Sequence, residues 1–204
     1  MNQRLALHVL ASGSRGNAAV VEDTATGKGV LVDCGICKRD FFARCDEAGF
    51  DPANLEAVLI THDHTDHTKG LGVVLRGLAK LGIEPAVFAD DAVRAASKEI
   101  IVLEGACDLR AFSSGDALSL AGMQVHAFRT SHDAASSCGF RVEADGDAVG
   151  FMTDTGIVTG EADEALRDVR ILALESNHDV QMLKDGPYPY PVKRRLSLIH
   201  ISEP

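Results

Sequence analysis

The segment THDHTDH, residues 61–67, places three histidines and two aspartates within seven positions. It follows the apolar run AVLI at 57–60, which is typical of a buried strand. His62 and His64 are two residues apart, so in an extended chain their side chains leave on the same side. Two imidazoles on one side can reach a single metal ion. This spacing predicts the first part of a metal centre at the end of a strand.

Asp66 and His67 are adjacent at the start of a predicted helix, where the turn can direct them toward a second point. Imidazole nitrogen and carboxylate oxygen, without thiolate, favour a catalytic zinc, manganese or iron site over a structural zinc site. A polar loop that happens to be rich in histidine is the alternative. Five ligand-type residues in seven positions at a strand end make that alternative the weaker one. The segment therefore predicts metal-assisted hydrolysis, with Asp66 as a candidate to orient the attacking water.

Two later segments are built in the same way, each as a strand that ends in a ligand-type residue. MQVHAFRTSHD delivers His132 just beyond its strand, and AVGFMTDTG delivers Asp154 at the end of a hairpin arm. A carboxylate between two cations can bridge them and reduce their repulsion. Taken alone, each of these residues is equally well explained as a cap or a turn residue.

Two further stretches carry side chains suited to a substrate. SGSRGN at 12–17 follows the first strand and offers backbone N–H groups, hydroxyls and Arg15 to an oxyanion or phosphate. A tight turn without a ligand explains it equally well. ESNHD at 175–179 ends a strand, and its His178 is a catalytic candidate that could donate a proton to a leaving group. Capping of the following helix is the alternative for His178.

Short β-type runs and helical stretches share the chain, which favours sheets covered by helices over strict β-α-β alternation. With 204 residues and 46% apolar content, the chain is predicted to form one domain. The predicted strands are 5–11, 18–22, 29–35, 57–61, 85–89, 123–129, 138–144, 148–154 and 170–176. The predicted helices are 38–48, 68–81, 91–99, 160–168 and 178–184.

The net charge of −10 argues against a broad basic surface for nucleic acid, although it allows a local phosphate site. Arg15, Lys69 and the cluster Lys193–Arg195 are candidate phosphate contacts. No apolar run approaches the ~20 residues that span a bilayer, and no signal-type segment opens the sequence. Five cysteines without regular spacing suit reduced thiols, so we expect a cytoplasmic protein without a membrane partner.

THDHTDH resembles the His-x-His-x-Asp-His signature of metallo-β-lactamase-fold hydrolases. The resemblance implies an α+β fold, an αββα sandwich of two mixed sheets flanked by helices, with two divalent metal ions (zinc, manganese or iron). It assigns the ligands as follows: His62, His64 and His132 to one metal, Asp66 and His67 to the other, and Asp154 as the bridge. It also favours Ser14, Arg15 and Asn17 as substrate-binding residues at the rim of the site.

Three flanking motifs resemble the YycJ branch of that superfamily, also called WalJ or VicX: LASGSRGNAAVVE, VDCG and ESNHDVQMLKDGPYPYPVKRR. This resemblance implies cleavage of phosphodiester bonds, as a 5′-to-3′ exonuclease with DNA as substrate. A thioester or lactone hydrolase of the glyoxalase type is one alternative. A non-catalytic metal-binding regulatory module is another.

The end of the sequence departs from that branch. Its members continue to a Gly-His-Leu-Ser stretch whose histidine completes the second metal site, whereas this chain reads LSLIHISEP. We therefore expect a truncated hydrolase domain at 1–195, a non-native tail at 196–204, and a second metal site that lacks one ligand.

Overall fold

A computed structural model describes residues 3–174, which form two mixed β-sheets packed face to face, with helices on their outer surfaces. This arrangement confirms the predicted αββα sandwich. The boundary expected at residue 195, the tail, His178 and the cluster Lys193–Arg195 lie outside the described residues. No helix within residues 3–174 is long and apolar enough to cross a membrane.

The first sheet has six strands in sequence order, antiparallel between its first three strands and parallel thereafter. The strands are β1 (Leu5–Ala11), β2 (Ala18–Asp23), β3 (Lys28–Val32), β4 (Leu55–Leu59), β5 (Ala86–Asp90) and β6 (Leu109–Phe112). The helices among them are α1 (Lys38–Ala48), α2 (Thr65–Thr68), α3 (Leu71–Ala79), α4 (Asp91–Ala96) and α5 (Lys98–Ile101).

The second sheet has five strands in the order β11-β10-β9-β8-β7, antiparallel except for the pair β10 and β11. The strands are β7 (Ala117–Leu120), β8 (Met123–Arg129), β9 (Cys138–Ala144), β10 (Asp147–Met152) and β11 (Ile171–Leu174). Helix α6 (Gly160–Ala165) lies against the outer face of this sheet, over Phe128 and Met152.

Both faces of the first sheet are buried. On β3, Leu31 belongs to the core shared with α1 and α3, whereas Val30 and Val32 belong to the core between the two sheets. Alternate residues of a strand point to opposite faces, so a strand buried on both faces needs the continuous apolar run GVLV rather than an alternating one. The strands β3 to β6 of this sheet are parallel, so their carboxyl ends lie together at one end of the sheet.

A polar clasp joins the two sheets far along the chain from the ligand motif. Asp147 is 3% exposed and accepts hydrogen bonds from the Leu5 backbone N–H at 2.8 Å and from Arg170 Nε at 2.7 Å. Arg170 Nη2 also donates to the Leu5 carbonyl at 2.6 Å. The Arg170 guanidinium lowers the pKa of Asp147 to about 2. These bonds fix β1 of the first sheet against β10 of the second.

Most predicted elements are present, with shifts at their ends. The predicted strand 29–35 ends at Val32, because Asp33 adopts a left-handed conformation with φ of 59°. The predicted helix 68–81 is α3, and a separate short helix, α2, precedes it. Strands β6 and β7 were not predicted, because their four-residue sequences, LRAF and ALSL, are too short to show a clear apolar period.

Candidate metal centre

The histidines of the ligand motif lie where β4 ends, beside the second sheet. His62 forms an isolated β-bridge with Ser137, and the Cys138 backbone N–H donates to the Thr61 carbonyl at 3.1 Å. His64 caps the start of α2, so Asp66 and His67 fall on that helix as predicted. The bend between strand and helix thus separates the directions in which the histidines point.

Five of the predicted ligands converge in two overlapping groups. One contains His62, His64 and His132, and the other contains His62, His67 and Asp154. Within each group the candidate ligand atoms lie within 4.8 Å of one another. His62 belongs to both groups, and its ring centroid lies 4.0 Å from that of His67 and 4.8 Å from that of His132.

A buried carboxylate, Asp33, orients His67. Its Oδ2 lies 2.7 Å from His67 Nδ1, and it accepts hydrogen bonds from the Thr61 backbone N–H at 2.9 Å and the Thr61 hydroxyl at 2.8 Å. With Nδ1–H donated to Asp33, His67 presents Nε2 to the cluster, 2.9 Å from Asp154 Oδ2. Burial opposes protonation of His67, but the carboxylates of Asp33 and Asp154 outweigh it and raise the pKa of His67 to about 10.

The residues fit a divalent metal. Among the described residues His62 Nε2 has no hydrogen-bond partner, although the side chain is fully buried. A buried imidazole nitrogen without a partner is costly unless it meets a cation or another donor. Burial lowers the pKa of His62 to about 3, so its imidazole is neutral, the form that ligates metals. The remaining members of the two groups supply nitrogen and one carboxylate oxygen, the donors preferred by catalytic sites.

His64 and His132 face each other from different sheets. His132 Nε2 lies 3.1 Å from His64 Nδ1, and both side chains are partly exposed. His132 follows β8, where the chain turns back toward β9. A residue 68 positions away in sequence is brought to His64 by the packing of the sheets.

Asp66 lies beside the two groups rather than within either. Its Oδ2 is 3.7 Å from His67 Nε2, and its side chain is 31% exposed. Asn17 Nδ2 lies 3.3 Å from Asp66 Oδ2 and 3.0 Å from His67 Nε2. Asp66 is therefore close to His67 but outside both groups, and its assignment with His67 to one metal remains a prediction.

The SGSRGN segment forms one wall of a cleft of about 400 Å³ that leads to Asp66 and Asp154. Ser14 and Asn17 line this cleft, while the exposed Arg15 is outside the lining. The Arg15 carbonyl accepts a hydrogen bond from Lys69 Nζ at 2.9 Å. Two of the three predicted substrate-binding residues therefore border the cleft.

Glycines let three chain segments touch through their backbones beneath the cleft. A Cβ on Gly35 would lie 1.6 Å from the Asp66 carbonyl oxygen, and one on Gly70 would lie 1.8 Å from the Ile36 carbonyl oxygen. A Cβ on Gly16 would lie 2.4 Å from the Gly35 carbonyl oxygen. No side chain longer than hydrogen fits at these distances, so the segments can be joined only through glycine.

Sequence reasoning missed Asp33 and Thr61 as site residues. VDCG was noticed only as a family motif, yet its aspartate is buried and adopts φ of 59°, as Asp154 adopts φ of 49°. Aspartate tolerates this left-handed region better than most residues, and such strain clusters at functional sites. An aspartate directly after a buried apolar strand was the available signal.

Comparisons with known proteins agree with this geometry. Residues 28–200 match the family model described as Beta-lactamase superfamily domain. The chain is 33% identical to Exodeoxyribonuclease YycJ of Bacillus anthracis, over 92% of this chain and 69% of that protein. It is 31% identical to Exodeoxyribonuclease WalJ of Streptococcus pneumoniae, over 95% of this chain and 71% of that protein.

A solved structure extends the agreement to the fold. Zn²⁺-bound PqqB from Methylobacterium extorquens superposes with a TM-score of 0.65 at 15% identity, covering 86% of this chain and 67% of PqqB. At that identity the likeness concerns the fold alone. Taken with the matched family and the two relatives, the chain belongs to the beta-lactamase superfamily, in its YycJ and WalJ branch, and is a metallo-β-lactamase-fold hydrolase.

Proposed function

We propose that this hydrolase cleaves phosphodiester bonds of DNA, removing nucleotides from a 5′ end, with two divalent metal ions bound in the His–Asp cluster. The observation that carries the proposal is the position of His62 in both ligand groups, with a buried Nε2 that has no other partner among the described residues. The YycJ and WalJ relatives are named exodeoxyribonucleases, which supports DNA as the substrate.

The two groups indicate which residues would hold the ions. His62, His64 and His132 would bind one, and His67 and Asp154 the other, with Asp66 at its edge. Two bound divalent ions, whether zinc, manganese or iron, supply an activated water as nucleophile and neutralise charge on the phosphate and the leaving oxygen. Asp154 is the bridging candidate, because its carboxylate lies within reach of the nitrogens of both His62 and His67.

The other residues act on the water and the substrate. Asp66 lines the cleft and accepts hydrogen bonds, so it would orient the attacking water. Asn17 fixes Asp66 through its amide, while its own Oδ1 accepts the Gly13 backbone N–H at 2.8 Å. Ser14, Arg15 and the neighbouring backbone N–H groups would hold a phosphate at the rim. His178, outside the described residues, would protonate the leaving oxygen.

We also propose a cytoplasmic location, which the five free thiols support because disulfides are rare in that compartment.

The proposal is tested by metal content and by digestion of duplex DNA carrying a label at either end, in added manganese. We expect close to two metals per chain and release of labelled nucleotide from the 5′ end. Asp66→Asn should abolish most of this activity, because the amide cannot act as the same acceptor. Asp46→Asn is the matched control, since Asp46 is an exposed carboxylate on α1, away from the cluster.

Each result has a defined meaning. Hydrolysis of a thioester such as S-lactoylglutathione without DNA cleavage would replace the proposal with the glyoxalase-type activity. Bound metal without turnover of either substrate would indicate a non-catalytic metal-binding module. Release from the 3′ end would contradict the polarity alone.

A further inference from the structure

A basic face lies on α1 and α3, outside the metal centre. It consists of Lys38 and Arg39 in the first turn of α1, with Arg76 in the last turn of α3 and Lys80 directly after that helix. These side chains line an open groove of about 470 Å³. All four residues are exposed. Such a concentration of positive charge is unexpected on a chain whose net charge is −10.

A glycine in the middle of α3 brings the two helices together at this face. A Cβ on Gly77 would lie 2.7 Å from Lys38 Cδ and 3.0 Å from Phe42 Cε2. The aliphatic part of Lys38 therefore crosses α3 at Gly77, between Arg76 and Lys80 in sequence. Glycine inside a helix costs about 1 kcal/mol relative to alanine, so close approach of the helices outweighs helix propensity here.

Three of the four cations of this face have no ion pair among the described residues. Within residues 3–174, no salt bridge involves Lys38, Arg76 or Lys80, whereas Arg39 pairs with its neighbour Asp40. Eight other cations in this range do pair: Arg4, Lys28, Arg44, Arg94, Arg110, Arg141, Arg167 and Arg170. Helix α3 itself, LGVVLRGLA, contains no acidic residue. Lys38, Arg76 and Lys80 therefore present to solvent a positive charge that no salt bridge of the described residues offsets.

Helix α3 leads from the rim of the cleft to this face. Lys69 lies two residues before α3 begins, and its Nζ donates to the carbonyl of Arg15, in the segment that walls the cleft. Arg76 and Lys80 are four residues apart at the other end of α3, on one side of that helix. The nine residues of α3 rise ~14 Å, the length of about four phosphates along one strand of duplex DNA.

We infer that this basic face is a track for the nucleic-acid backbone, which holds DNA beyond the nucleotide being removed. The inference rests on the proposed function. Lysine and arginine side chains contact phosphates through their charge, and such contacts carry no sequence preference. A local track of this kind also reconciles a nucleic-acid substrate with an acidic chain.

A role in helix stability is the competing explanation. Basic residues near the C-terminal end of a helix are favourable to its dipole, and Arg76 and Lys80 occupy that end of α3. That role predicts a change in melting temperature and none in DNA binding. It also does not account for Lys38, which lies at the N-terminal end of α1.

The test compares two triple variants with the same change in charge. The first is Lys38→Gln, Arg76→Gln and Lys80→Gln. The matched control is Lys28→Gln, Arg44→Gln and Arg167→Gln, which removes three exposed cations that each pair with a carboxylate elsewhere. Binding of fluorescein-labelled duplex DNA is measured by anisotropy in a chelating buffer, from about 50 to about 200 mM salt.

The face variant should bind DNA about 10- to 100-fold more weakly near 0.1 M salt, with the slope of log K against log salt reduced by about 2 to 3. The control should stay within about twofold of the parent chain. Equal binding by the two variants would overturn the inference, as would a loss of self-association in the face variant with unchanged DNA binding. The chelator prevents turnover, so the binding result does not depend on activity. If the parent chain were inactive in the digestion assay, the proposed nuclease function would be contradicted and the binding result would remain valid.

Discussion

The two ligand groups of the metal centre are positioned by different means. His62 and His67 are fully buried, and Asp33 and Thr61 hold them within one edge of the first sheet. His64 and His132 are partly exposed and reach each other from opposite sheets. Hydrogen bonds from Asp33 and Thr61 set the two buried imidazoles, whereas the packing of the sheets sets the contact between His64 and His132. Each group therefore also depends on one residue from the second sheet, Asp154 after β10 or His132 after β8.

The sharpest test of this division begins with the residue that both groups share. His62→Ala should reduce bound metal to at most one ion per chain and hydrolysis at least ~10³-fold, because His62 is a member of both ligand groups and one group keeps only two of its three imidazoles. His126→Ala is the matched control, as its ring is 44% exposed and lies 3.6 Å from Glu143. Metal analysis and circular dichroism together separate ligand loss from unfolding. Retention of two metals by a folded variant would show that the groups are independent.

The second test removes the support of the buried group alone. Asp33→Asn preserves the size and the left-handed backbone conformation but cannot accept a hydrogen bond on both oxygens, so His67 loses its orientation. We expect metal affinity at the His67 group to fall about 10- to 100-fold, with the His64 group retained.

Asp168→Asn is the control for this second test, because Asp168 also has a positive φ, 57°, but is exposed. Metal titration should show two classes of site in the Asp33 variant. An equal loss of metal affinity at both sites would show that Asp33 does not support the His67 group alone.

The smallest effect concerns the clasp that aligns the sheets. The pKa of Asp147 is lowered from 3.8 to about 2 on folding, so its contribution to stability is present above pH 4 and is lost as the pH falls toward 2. Asp147→Asn should therefore cost about 1–2 kcal/mol at neutral pH and show less additional loss between pH 4 and 2. Urea unfolding at several pH values measures both quantities.

The control for the clasp is Asp163→Asn, since that carboxylate is 70% exposed and pairs with Arg167 on the surface. Its effect should stay within about 0.5 kcal/mol. If Asp163→Asn lowered the free energy of unfolding more than Asp147→Asn does, the clasp would not be the feature that aligns the sheets.

Sequence patterns predicted sheets covered by helices and the strand ends that carry the ligands, because apolar runs ending in histidine or aspartate are local features; the αββα sandwich itself was implied by the family resemblance. The distance between His64 and His132, 68 residues apart, is not local, so only the order of the ligands was predictable. Asp33 was overlooked because its role depends on an imidazole 34 residues later. Strands β6 and β7 were missed because edge strands with exposed positions lack a clear apolar period.

The close backbone contacts at Gly16, Gly35 and Gly70 have a consequence for protein engineering. None of these positions carries a functional group, yet each admits only one of the twenty amino acids. In a saturation library they would tolerate change no better than the metal ligands, although a screen for chemistry would overlook them. Attempts to reshape the cleft for a new substrate should therefore vary Ser12 and Ser14, whose exposed side chains line it, and leave the glycine framework intact.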